Sequence, residues 1–69
     1  MPSAYAFWVG QAVILQLAAD ELHVPLRGVI VGESESTVHI RVGEGADLDI
    51  CKHIILAVEQ DNWAGVLVN

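Results

Sequence analysis

The stretch Gly28–Gly43, GVIVGESESTVHIRVG, constrains this chain more than any other part of it. Its second half alternates: Val38, Ile40 and Val42 point one way, Thr37, His39 and Arg41 the other. Period-2 alternation is the pattern of a half-buried strand, because successive side chains leave a pleated backbone on opposite faces. The first half, Val29–Val31, is a short buried β-branched run. The acidic, serine-rich Glu33–Ser36 lies between them as a tight connection. The two halves therefore read as a β-hairpin at the centre of a small all-β domain.

The flanking segments fit that frame. Gln11–Ala18 places Val13, Leu15 and Leu17 on one face and reads as a strand. A helix over Ala4–Leu17 is its rival, with Gly10 in the middle costing about 1 kcal/mol relative to alanine. Asp20-Glu21 is a turn, and Val24–Val31 a second strand, with Pro25 near its start and Gly28 marking a bulge or sharp bend. Gly43–Asp47 is the next turn. Leu48–Val58 is long enough for a strand, a bend near Lys52-His53 and a further strand. Asp61-Asn62 turns the chain into a last short strand, Ala64–Val68. Segments spaced by roughly ten residues, with short turns and no strand–helix alternation, predict an antiparallel barrel or sandwich. At 69 residues one domain is expected, and a strongly bent five-stranded antiparallel barrel is the more economical form. A short N-terminal helical turn fits in front of it. The predicted core is Val13, Leu15, Ile30, Val38, Ile40, Val42, Ile54 and Leu56.

Composition narrows function. The chain is 54% hydrophobic and 17% charged, more apolar surface than so small an interior hides. That excess predicts a self-association surface, formed by Trp8, Trp63, Val66, Leu67 and Val68. A homo-oligomer, or docking to a protein partner, follows. Formal net charge is −6, and the only cations besides histidine are Arg27, Arg41 and Lys52. Nucleic-acid binding depends on cations displacing phosphate counterions, so this balance argues against nucleic acid and against anionic membrane surfaces. The apolar run Ala12–Ala19 is interrupted by Gln16 and is too short to span a bilayer. A single cysteine, Cys51, excludes an intramolecular disulfide; with no basic leader pattern, this predicts a cytoplasmic protein.

Catalytic and metal chemistry find little support. Cys51 and His53, two apart, would share a strand face, but zinc sites combine several such spacings. His23 and His39 are distant in sequence. A Cys–His nucleophile would need a third orienting group, a cleft and oxyanion donors. Asp47-x-Asp49 is not a calcium loop. The expectation is a non-enzyme without metal or cofactor, its acidic turns forming a solvated rim.

Gly28–Gly32 entering a turn, Val38–Val42, and Ile54–Val58 together resemble an SH3-like small barrel, most similar to the Sm-like arrangement, over about residues 8–68. Sm-like proteins show a glycine in a bent second strand, a hairpin and a late isoleucine-rich strand. Lys52-His53 before Ile54 is similar to the pair in bacterial Sm-like RNA chaperones. The family's RNA-binding Asp and Asn are replaced by Ser34 and Val38 at the nearest matching positions. The resemblance implies ring formation through edge strands. As the alternative function it implies RNA binding at a patch of Arg41, Lys52 and His53.

Overall fold

The computed structural model describes residues 4–62. A 3-10 turn, Ala4–Trp8, precedes strands β1 (Ala12–Ala19), β2 (Leu22–Glu33), β3 (Thr37–Val42) and β4 (Ala46–Cys51). A second 3-10 turn, Lys52–Ile54, leads into β5 (Ile55–Gln60). All five strands form one antiparallel sheet in the order β4-β3-β2-β1-β5. The all-β expectation holds. Among the described residues the sheet is not closed: β4 and β5 end it on opposite sides instead of pairing with each other. The expected segment Leu48–Val58 supplies both β4 and β5, so five strands are complete before Asp61. The expected strand Ala64–Val68 lies outside the described residues, as does Trp63.

Local chemistry explains the boundaries. Gly10 has φ +86°, a left-handed conformation that halts any helix through residue 17 and leaves Val13, Leu15 and Leu17 to a strand. Its N–H donates to the carbonyl of Ile30 at 2.7 Å, fastening the first turn to β2. The β1–β2 hairpin turns on Asp20-Glu21, with Asp20 at φ +56°; aspartate tolerates this better than most residues.

β2 is shared between two partners. Leu22–Val29 pairs with β1, and Val29–Glu33 with β3. A bulge between Ile30 and Gly32 leaves Val31 unopposed. Next to the hand-over lies Gly28. A Cβ there would stand 2.5 Å from the Arg41 carbonyl oxygen and 2.8 Å from Ile40 Cγ1. Only glycine lets β2 come this close to β3.

The core is Val13, Leu15, Leu17, Ile30, Val38 and Ile40. Val42 is half-buried and packs against it. Two expected core residues belong elsewhere: Ile54 is 38% and Leu56 51% exposed. The cause is backbone irregularity. Ile54 ends the second 3-10 turn, and the β1–β5 register jumps from Gln16↔Ala57 to Leu17↔Ile55. Leu56 is the extra residue of a bulge, so Ile55 and Val58 pack inward in its place.

Candidate functional site: the β5 edge and the Lys52 corner

Strand β5 borders a cleft of about 250 Å³. One wall is Tyr5 and Trp8 of the first 3-10 turn; the other is the consecutive run Ile55–Val58. Residues three apart stack on one side of a 3-10 turn, so Tyr5 and Trp8 both reach the cleft. On a strand, neighbouring side chains point to opposite faces. Ile55–Val58 line the cleft in a row because the bulge at Leu56 interrupts that alternation. Trp8, expected at an interface, is half-buried on this wall, with Phe7 edge-on at 5.6 Å and itself 73% exposed. Tyr5 was not singled out in the sequence; its i, i+3 spacing to Trp8 was the available signal, but only if the turn is 3-10. The remaining expected interface residues, Trp63, Val66, Leu67 and Val68, lie outside the described residues.

A polar corner holds the first turn in place. The Lys52 Nζ donates to Glu33 Oε2 at 2.6 Å, with side chains 23% and 19% exposed. The same ammonium sits 5.4 Å from the centre of the Tyr5 ring, within cation–π range. The Lys52 backbone N–H donates to the Ser36 carbonyl at 2.8 Å. One lysine thus joins the ends of β2 and β4 and the turn that carries Trp8.

The expected Arg41, Lys52 and His53 patch is not assembled. Arg41 pairs across the β3–β4 ladder with Asp47, and Lys52 follows the other end of β4. Five residues of extended chain separate those ends by on the order of 15 Å. The Arg41 Nε and Nη2 donate to the two Asp47 carboxylate oxygens at 2.7 and 3.0 Å. That fork holds the Asp47 carboxyl below the usual aspartate range, chiefly through the hydrogen bond, and holds Arg41 above its own. His39 Nδ1 lies 2.5 Å from Asp49 Oδ1, the ring N–H donating to the carboxylate. Arg41, Lys52 and His39 are each matched to an acid, which lowers the positive potential available to a phosphate. His53 is exposed on the second 3-10 turn.

That turn also separates His53 from the strand face it was expected to share with Cys51, the exposed end of β4. Among the described residues no three His, Cys, Asp or Glu side chains converge as a metal site. No described helix is long and apolar enough to cross a membrane. No protein-family model, curated protein or solved structure matches the chain.

Proposed function

We propose that this chain is a non-enzymatic β module that assembles with copies of itself, or docks a protein partner, through its strand edges. The observation that carries this is that, among the described residues, the sheet ends in two six-residue edge strands, each with an exposed branched side chain. Leu48 on β4 is 39% and Leu56 on β5 51% exposed. An edge offers a row of unpaired N–H and C=O groups to another strand, and apolar side chains beside it add area removed from water. Trp8, Trp63, Val66, Leu67 and Val68 belong to the proposed contact region. A cytoplasmic setting is part of the same reading, resting on the lone cysteine. Size-exclusion chromatography with light scattering tests it: a multiple of the 7.4 kDa chain mass is expected. Leu48→Lys, a charge placed on an edge, should return the mass towards one chain while circular dichroism is unchanged. A wild-type monomer across a wide concentration range, with no protein partner captured, overturns it.

A second reading is an Sm-like RNA-binding ring. A bent β2 with Gly28 at its hand-over, a helical turn ahead of β1, and Lys52-His53 just before β5 favour it. The engagement of Lys52 by Glu33 weighs against it. Micromolar RNA binding at physiological salt, lost in Lys52→Ala, would put this reading first.

A further inference from the structure

We propose that the turn Ala4–Trp8 is a lid on the core, hinged at Gly10 and latched by Lys52, which opens while the sheet stays folded. The inference goes beyond the assembly reading and does not rest on it.

Three observations carry it. The first is burial. No residue of the turn is buried. Ala4, Ala6 and Phe7 are exposed, and the half-buried Tyr5 and Trp8 are the two that pack against the core. The buried core residues lie on β1, β2 and β3. Detaching the turn therefore takes cover away from the core and leaves each of those residues in its strand.

The second is bonding. Among the described residues, the main-chain hydrogen bonds of the turn are local. The Val9 N–H donates to the Ala6 carbonyl at 3.4 Å. Gln11 grips the end of the turn, its N–H donating to the Trp8 carbonyl at 3.0 Å and its Nε2 to the Phe7 carbonyl at 2.9 Å. Main-chain attachment to the sheet begins at Gly10, whose N–H donates to the Ile30 carbonyl, and continues with the Ile30 N–H donating to the Gln11 carbonyl at 3.3 Å. Gly10 is thus the boundary between chain held by the sheet and chain held by its own side chains. It is also where the chain can pivot, since glycine takes either sign of φ and a Cβ built there meets nothing within 4 Å. A short 3-10 turn has poor hydrogen-bond geometry, so little stability of its own opposes the swing.

The third is the latch. Lys52 is fixed by the β2–β3 hairpin: its N–H donates to the Ser36 carbonyl and its Nζ to Glu33 Oε2. Those bonds survive when the lid opens. The 5.4 Å contact of the ammonium with the Tyr5 ring does not. A charge held in place by the sheet, over a ring carried by the lid, favours the closed form by about 2–5-fold. Opening exposes the inner sides of Tyr5 and Trp8 and the core beneath them, apolar surface that the closed form withholds.

Native-state amide hydrogen exchange on the full chain, from zero to about 1 M urea, is the test. The Gln11 amide follows the lid, because its acceptor on Trp8 leaves with it. The Ile30 amide follows the sheet, because its acceptor on Gln11 stays. After correction for intrinsic rates, Gln11 should exchange at least about 10-fold faster than Ile30, at a rate flat against urea, while the Ile30 rate rises. Tyr5→Leu keeps apolar bulk and removes the ring. Its acceleration of the Gln11 amide should be about 2–5-fold larger with Lys52 present than in a Lys52→Met background. Gln11 exchange that rises with urea in step with Ile30 overturns the lid, because the turn then leaves only when the sheet unfolds. An effect of Tyr5→Leu that is the same in both backgrounds overturns the latch.

Discussion

Single residues hold this sheet together in unequal ways. Gly28 is the least replaceable: its missing Cβ is what leaves room for the Arg41 carbonyl and Ile40. Gly28→Ala should cost about 1–3 kcal/mol, the usual range for overpacking, with the high end expected because the obstructing atom is backbone. A urea melt checks this, and a near-neutral midpoint would mean the strands do not approach so closely. Ile40 is fully buried, so Ile40→Ala should cost about 2–5 kcal/mol, enough to abolish folding in so small a domain. Asp47 makes a pH-dependent contribution. Its carboxyl is lowered by Arg41, so the stabilisation is present above the ordinary aspartate value of 3.8 and is lost as pH falls through the lowered folded value. Asp47→Asn should flatten the acid limb of the stability profile below about pH 4, because the unfolded-state protons no longer differ from the folded. An acid limb identical in mutant and wild type would show that the fork contributes nothing in solution.

Elements differ in how far their side-chain phase was readable. β1 and β3 are regular, and their alternation placed Val13, Leu15, Val38 and Ile40 in the core before any tertiary information. β5 is not regular. Ile54–Val58 is apolar at every position, so no alternation distinguishes the two phases, and a bulge at Leu56 then shifts the register. The consequence is measurable. Ile55→Ala should lower stability by about 1–2 kcal/mol through lost burial, whereas Leu56→Ala should stay within about 0.5 kcal/mol. Reversed magnitudes in a denaturant series would restore the phase that put Leu56 inside. The same ambiguity hid the second 3-10 turn: Lys52-His53 marked a bend in the sequence, but nothing local announced that Lys52 would reach Glu33. Those residues are 19 apart in the chain and meet only because β2, β3 and β4 are laid side by side. Lys52→Ala should cost about 1–3 kcal/mol by removing a charged hydrogen bond from the half-buried Glu33 carboxylate. It should also loosen the Tyr5–Trp8 wall, read as red-shifted tryptophan emission.

The molecule as a whole is apolar and acidic. Its charge of −6 opposes assembly, because each added copy adds like charge. Raising salt from about 0.05 to 0.5 M shortens the screening length from roughly 14 to 4 Å and should increase the assembled fraction. Light scattering over that series checks it, and assembly that weakens with salt would point instead to contacts made by ion pairs. Large apolar side chains also remain in solvent: Phe7, Leu22 and Leu56 are each more than half exposed. A closed barrel would have no edges to manage; among the described residues this sheet has two, β4 and β5.

Sequence alone determined the all-β class, the hairpin around Glu33–Ser36, the glycine at the bend of β2 and the inward faces of β1 and β3. These follow from backbone freedom and from a two-residue period, which act between neighbours along the chain. Tertiary structure decided the rest. Whether β4 and β5 meet depends on how far the sheet curls, a property summed over every strand. The place of Lys52 depends on which strands lie beside β4, and the phase of β5 on a bulge set by its pairing with β1. Each of these is a distance between segments remote in sequence, fixed only when the whole sheet packs.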